Sequence, residues 1–151
     1  MSISLVVTAV TAFDGVMAER WTCPRCDREF ARARQSHVCV PGCTVDDTFA
    51  GKPPWMREVY DTIVRDLREL GELHEDAVKV GVFLKCERKL AEIRPRSKDL
   101  LVWLYLPFVA DESLAQGRSG ERVLHRIALR ELTDEVREWF VAAYDLAARP
   151  E

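Results

Sequence analysis

The feature that most constrains this chain is a group of sulfur and imidazole side chains near its start. Cys23 and Cys26 form a Cys-x-x-Cys pair with Pro24 between them, and His37 and Cys39 follow after a short interval. Zinc prefers four tetrahedral ligands, and three thiolates with one imidazole leave no vacant position for a substrate. We therefore predict one structural zinc ion held by Cys23, Cys26, His37 and Cys39.

The predicted zinc module, residues 19–44, is too short to fold through apolar burial alone. Zinc contributes on the order of 10 kcal/mol to the folding of small modules of this kind. Cys43 is an alternative fourth ligand, because the His-x-Cys spacing is tighter than the second ligand pair of most zinc fingers. A free Cys43 thiol and a module without metal remain as other interpretations. The histidine argues against an iron–sulfur cluster.

The cysteine pattern also bears on the compartment. Five cysteines are present, four of them close together around His37, which is typical of a metal site in a reducing environment and not of a secreted disulfide framework. The apolar stretch 3–13 lacks a basic start and is too short to span a bilayer. We expect a cytoplasmic protein with no membrane partner. Residues 1–18 are treated as an extension, and translation from either Met1 or Met17 is left open.

Residues 45–151 are predicted to form an α+β domain of helix, four strands and helix. Apolar positions repeat at helical spacing from Met56 to Leu70, and Thr133 is placed to cap the last helix. The connections between strands are too short for crossover helices, so the four-stranded sheet should be mainly antiparallel with the helices on one face. The predicted strands are Val78–Cys86, Leu90–Ile93, Leu100–Leu106 and Val123–Leu129.

One candidate for a binding surface is the zinc module itself, where arginines are interleaved with the metal ligands. Arginine can contact phosphate or a base edge bidentately, so nucleic acid is a possible partner. The formal net charge of -3 excludes a positive field over the whole molecule. The arginines could instead neutralise the zinc thiolates. The four residues are Arg25, Arg28, Arg32 and Arg34.

A second candidate is a pocket on the sheet for a small ligand or an enzyme substrate. Lys79 and His125 are polar residues in or beside predicted apolar strands, and Trp103 and Tyr105 would lie near them. The alternative interpretation is a core histidine with satisfied hydrogen bonds. No Ser, His and Asp trio and no nucleophile signature is recognisable, so enzymatic activity is left open and a binding module is favoured.

Several stretches carry a resemblance to a known family. Trp21-Thr-Cys-Pro-Arg-Cys26, Gln35-Ser-His-Val-Cys39 and Asp47-Thr-Phe-Ala-Gly-Lys-Pro-Pro54 resemble the bacterial domain-of-unknown-function 5655 family, in its form with an N-terminal CxxC...HxC zinc module. The likeness extends to Leu104-Tyr-Leu-Pro107 and His125. It implies a small α+β domain. Related domains can accompany nuclease-like modules, which implies a link to nucleic-acid metabolism without establishing an activity. Independently of the resemblance, binding to another protein is a further alternative.

Overall fold

A computed structural model of the chain describes residues 20–24, 29–34 and 43–149. The chain divides into two units, Met1–Val40 and Pro41–Glu151. In the first unit, strand β1 (Trp21–Thr22) pairs antiparallel with strand β2 (Glu29–Phe30). The rings of Trp21 and Phe30 lie 6.0 Å apart, and the Phe30 side chain is buried. The described part of this unit is therefore a short hairpin with a small aromatic cluster.

The second unit begins with two helices and ends with a third, with six strands between them. The elements are α1 (Val45–Phe49), α2 (Pro54–Arg68), β3 (His74–Val78), β4 (Gly81–Lys85), β5 (Lys89–Pro95), β6 (Leu100–Leu106), β7 (Ala115–Ser119), β8 (Arg122–Leu129) and α3 (Asp134–Ala148). The strands form one sheet in the order β3-β4-β5-β6-β8-β7, and every neighbouring pair is antiparallel. The predicted α+β class and the antiparallel sheet are confirmed.

The predicted number of four strands is wrong, because the sheet has six. The predicted strand Val78–Cys86 is in fact part of a hairpin, with Lys79 and Val80 forming the turn between β3 and β4. The alternation of apolar residues continues through this turn, so it conceals the break. Strand β7 is polar and exposed along most of its length, and it therefore carries no apolar pattern by which a strand is recognised.

Helix α1 is an additional element, because the predicted domain has one helix before its first strand and the structure has two. Thr44 caps the helix: its hydroxyl accepts a hydrogen bond from the Asp47 backbone N–H at 3.1 Å, and the Asp47 carboxylate accepts one from the Thr44 N–H at 3.0 Å. This reciprocal arrangement satisfies two N–H groups that a helix start leaves open. Gly51, at a φ of 77°, then turns the chain into the start of α2 at Pro54.

The main core lies between one face of the sheet and the helices. The apolar stripes of α2 and α3 pack on the sheet face that carries Val102, Leu104 and Ile127, all of them buried. Arg137 at the start of α3 binds the Asp66 carboxylate of α2 through two hydrogen bonds of 2.8 and 3.0 Å. Since both long helices pack on the same face, neither of them covers the opposite face of the sheet.

Candidate functional site

The sheet face opposite the helices carries aromatic rings that are only half-buried. Residues directly opposite in an antiparallel pair point to the same side. The register places Phe83 of β4 beside Glu92 of β5, Glu92 beside Trp103 of β6, and Trp103 beside Arg126 of β8. Tyr105 lies two residues beyond Trp103 and shares its side. We call this surface, defined by Phe83, Glu92, Trp103, Tyr105 and Arg126, the open face.

Each aromatic ring of the open face has a cation over it. Lys89 Nζ lies 4.5 Å from the centre of the Phe83 ring, and the Arg94 guanidinium lies 4.7 Å from that of Trp103. The Arg122 guanidinium lies 4.0 Å from the centre of the Tyr105 ring. Such contacts contribute about 0.5–1 kcal/mol each at exposed sites. Lys85 and Arg126 approach the Phe83 and Trp103 rings more distantly, at 5.9 Å in both cases.

Two buried carboxylates hold some of these cations in place. Asp76 is 4% exposed and pairs with Lys85 Nζ at 3.0 Å. Glu92 is 8% exposed, accepts from Arg94 Nε at 2.5 Å and lies 3.3 Å from Lys89 Nζ. Cations nevertheless outnumber carboxylates among the described side chains of this face, which include Lys85, Lys89, Arg94, Arg122 and Arg126 against Asp76 and Glu92. A chain with a net charge of -3 therefore has a locally positive, aromatic surface.

Gly81 allows Arg94 to lie along the open face. A Cβ at this position would meet Arg94 Cγ at 2.8 Å and the Ile93 carbonyl oxygen at 2.9 Å. We expect Gly81→Ala to lower the free energy of unfolding by about 1–3 kcal/mol, because the backbone oxygen must shift to relieve the overlap. Chemical denaturation measures this change.

The matched control is Gly117→Ala in the edge strand β7, where an added Cβ meets nothing within 4 Å. This substitution should change stability by no more than about 0.5 kcal/mol. Equal effects of the two substitutions would contradict the close approach of Arg94 to the β4 backbone.

The structure places the residues of the predicted pocket on different surfaces. Trp103 and Tyr105 lie on the open face, as described above. His125 is opposite Leu104, which points to the helices, and it is fully buried in that layer. Lys79 is exposed in the turn between β3 and β4. Lys79 and His125 therefore do not converge on one concave surface, and the expectation that they form a ligand-contacting pair is corrected.

His125 has the environment of a core histidine. Its Nε2 accepts a hydrogen bond from the Ala110 N–H at 3.1 Å, and its Nδ1 lies 3.1 Å from the Val123 carbonyl oxygen. Because Nε2 is the acceptor, Nδ1 carries the proton and donates to Val123. The ring thus links the loop after β6 to strand β8 in a neutral tautomer.

Replacing His125 tests this structural role. We expect His125→Leu to lower the free energy of unfolding by about 1–3 kcal/mol, since it leaves the Ala110 N–H without its buried acceptor. The comparison is His74→Leu at the half-buried start of β3, which should cost less. Denaturant titration of both variants measures the difference, and an equal or smaller loss for His125→Leu would contradict the role.

The residues of the predicted metal site are only partly described. Cys23 is buried directly after β1. Cys26, His37 and Cys39 lie outside the described residues, as do Arg25 and Arg28. Among residues 20–24, 29–34 and 43–149, no three His, Cys, Asp or Glu side chains form a group that could hold a metal ion.

Three further residues singled out from the sequence, Cys43, Arg32 and Arg34, lie within the described ranges. The Cys43 sulfur lies 3.7 Å from Thr48 Oγ1 and 3.5 Å from the Thr44 carbonyl oxygen. Arg32 and Arg34 are exposed, and Arg34 adopts a left-handed backbone conformation with a φ of 57°. Both arginines are therefore accessible to solvent.

A concavity lies beside α2 and not on the open face. It has a volume of about 480 Å³ and is lined by Trp55, Glu58, Val59, Thr62, Arg130, Glu131, Leu132 and Arg137. Arg137 is already bound to Asp66, whose carboxylate raises the pKa of the guanidinium. The lining mixes both signs of charge and presents no convergent polar set, so the open face is the stronger candidate site.

The sequence analysis identified Trp103 and Tyr105 but none of the cations around them. The available signal was alternation within strands: Arg94 follows Glu92 by two residues, and Arg126 follows Arg122 by four, so each pair shares a side. Recognising that these separate pairs meet required the register of four strands. The register is a property of the folded sheet and cannot be derived from any single segment.

The fold and this surface define a class: an α+β domain with helices on one face of an antiparallel sheet and cations over aromatic rings on the other. Residues 45–147 match the family described as Domain of unknown function (DUF5655), and the chain belongs to this family. No curated protein and no solved structure matches the chain. Within the part of the chain that the structure describes, no helix has the length and apolar character needed to cross a membrane.

Proposed function

We propose that this chain is a cytoplasmic nucleic-acid-binding module that uses the open face of its sheet. The observation that carries the proposal is the set of cations placed over Phe83, Trp103 and Tyr105. Guanidinium groups bind phosphate oxygens bidentately, and aromatic rings bind the faces of bases. A surface that carries both guanidinium groups and aromatic rings is suited to nucleic acid, which has an anionic backbone and planar bases.

The chemistry of the open face fits a small-molecule pocket less well. Small-ligand sites are usually concave and enclose most of the ligand. The open face is one side of a sheet, and Lys79 and His125, which were expected to add polar contacts, lie elsewhere. The cations of the open face are distributed over β4, β5 and β8. An extended ligand that crosses several strands can therefore contact more of them than a small molecule can.

A structural zinc ion is part of the same proposal. Cys23, Cys26, His37 and Cys39 would hold it, with Cys43 as the rival for the fourth position. The fit rests on Cys23, whose buried thiol follows β1 and precedes the return of the chain in β2. Such an ion supplies cross-linking of the hairpin and no catalytic step, because its four positions are filled by protein. Arg32 and Arg34 on this module would add secondary phosphate contacts.

Salt dependence of binding tests the proposed function. The probe is a fluorescently labelled oligonucleotide of mixed sequence, titrated with the full chain at several salt concentrations. We expect the logarithm of the affinity to fall linearly with the logarithm of salt concentration, with a slope of roughly -0.7 to -0.9 per phosphate contacted. Binding that is absent at low salt would contradict the proposal.

The variant Arg32→Ser/Arg34→Ser measures how much the zinc module contributes to the affinity for nucleic acid. Because the open face is the main binding surface in this proposal, the variant should lower affinity by less than about tenfold. The salt slope should fall by no more than the value that corresponds to about two phosphate contacts. Loss of all binding would instead assign the interface to the module.

A further inference from the structure

We infer that the nucleic acid bound by the open face is a single strand, DNA or RNA, whose bases stack on the rings and guanidinium planes of this surface. The inference rests on the proposed function and specifies its ligand. It follows from three features of the open face: the spacing of the rings, their depth in the sheet, and the planar cations above them.

The spacing of the rings suits separated bases. Trp103 and Tyr105 are two residues apart on β6, which corresponds to about 7 Å along a strand. Phe83 lies two strands from Trp103, a distance of roughly 10 Å across the sheet. Nucleotides in a duplex repeat about every 3.4 Å along each strand. Bases that contact two of these rings must therefore move apart, which a single strand can do without breaking base pairs.

The depth of the rings disfavours reading of a duplex. The major groove of B-DNA is about 8.5 Å deep, and proteins read it with a protruding helix or two-stranded ribbon. Phe83, Trp103 and Tyr105 are half-buried side chains on one side of a sheet. They do not protrude enough to reach base edges in a groove, so a duplex would offer this face only its phosphates.

The cations over the rings are mostly of the kind that stacks. Arg94 and Arg126 approach Trp103, and Arg122 approaches Tyr105. A guanidinium is planar and stacks on aromatic rings, whereas an ammonium acts as a point charge. A base can therefore stack beside a guanidinium or take its place over the ring, with the guanidinium still within reach of the neighbouring phosphate. Sheet surfaces that stack bases in this way occur among single-strand-binding proteins.

The experiment compares three labelled probes of one sequence and length at the same salt concentration: a single strand, the matching duplex, and a single strand with abasic sites at its centre. We expect the full chain to bind the intact single strand at least about tenfold more tightly than either of the others, because each stacked base contributes about 5- to 150-fold. The abasic probe tests stacking without any change in the protein.

Variants at Trp103 locate the effect. Trp103→Leu should weaken single-strand binding by about tenfold with an unchanged salt slope, whereas Trp103→Phe, which keeps a ring, should stay within about threefold. Trp55→Leu in α2 serves as the control for loss of an indole away from the open face and should bind as the unmodified chain does. Thermal unfolding of each variant shows that the fold is retained.

The outcomes separate this inference from the proposed function. Equal affinity for duplex, abasic and intact single strands, with no loss in Trp103→Leu, would overturn the inference and leave nucleic-acid binding in place. Binding to none of the three probes would overturn both. A single-strand preference that is lost in Trp103→Leu and retained in Trp103→Phe is the result that the geometry predicts.

Discussion

Removal of zinc with a strong chelator is expected to unfold the N-terminal hairpin while the sheet domain stays folded. Only two residue pairs join β1 to β2, and the described apolar cluster consists of Trp21 and Phe30 with Cys23 beside them. This burial cannot offset the conformational entropy of the module, and the proposed zinc ion would supply on the order of 10 kcal/mol. The measurements are zinc content by mass spectrometry and Trp21 fluorescence during chelation, with the other three tryptophans changed to Phe.

Cysteine variants identify the ligands in the same assay. Cys23→Ser and Cys39→Ser should each abolish stoichiometric zinc, whereas Cys43→Ser should retain it if His37 and Cys39 complete the site. Cys86→Ala is the control, because Cys86 lies in the sheet domain, where burial raises the pKa of its thiol. Protein that carries no zinc, or a hairpin signal unchanged by chelation, would contradict the metal site. If Cys43→Ser lost its zinc while Cys39→Ser kept it, Cys43 would replace Cys39 as the fourth ligand.

Reversing two charges on the open face is expected to have the second largest effect. Arg94→Glu together with Arg126→Glu should weaken binding of a single-stranded oligonucleotide by at least about 100-fold. Both guanidinium groups approach the Trp103 ring. Arg94 binds Glu92 through Nε, which leaves its terminal nitrogens to contact a phosphate beside a stacked base. Each substitution removes a charge-assisted hydrogen bond and adds a carboxylate that repels the phosphate. Fluorescence anisotropy at moderate salt measures the loss.

The control carries the same change in net charge on other surfaces. Arg65 is exposed on α2, and Arg118 lies on β7 opposite Val123, on the helix side of the sheet. Arg65→Glu/Arg118→Glu should lower affinity by less than about tenfold, through long-range repulsion that salt screens. Similar losses in the two double variants would show that net charge, and not the open face, governs binding.

The sequence was sufficient for the fold class because the core-forming segments carry strong patterns. The strand Leu100–Leu106 was predicted with the bounds that the structure has, and Thr133 caps α3 as expected, its hydroxyl accepting from the Val136 N–H at 3.2 Å. Both signals are local. A continuous apolar run indicates a central strand, and a capping residue before an apolar stripe indicates a helix start.

The strands that were missed lack such local signals. Strand β7 has no buried apolar row, and its position follows only from its pairing with β8 at the sheet edge. The hairpin turn at Lys79 and Val80 resembles its flanking strands in composition. Both features depend on long-range pairing, which chain propensity does not encode.

The candidate site was predicted only in part for the same reason. Trp103 and Tyr105 attract notice as aromatic residues in an apolar strand, but the side to which His125 points depends on its register with Leu104. A shift of one residue would place His125 on the open face and Arg126 in the core. Burial of an arginine there would be costly, so the observed register is the one that keeps the cations at the surface.

The most direct test of the central claim is a ¹⁵N NMR titration of the full chain with a single-stranded oligonucleotide. Binding to the open face should shift the indole N–H of Trp103 and the amides of β4, β5, β6 and β8 around it. The indole signals of Trp55 and Trp139 on the helices should stay in place. An unchanged Trp103 indole at saturating oligonucleotide, or shifts confined to the helices, would contradict the account.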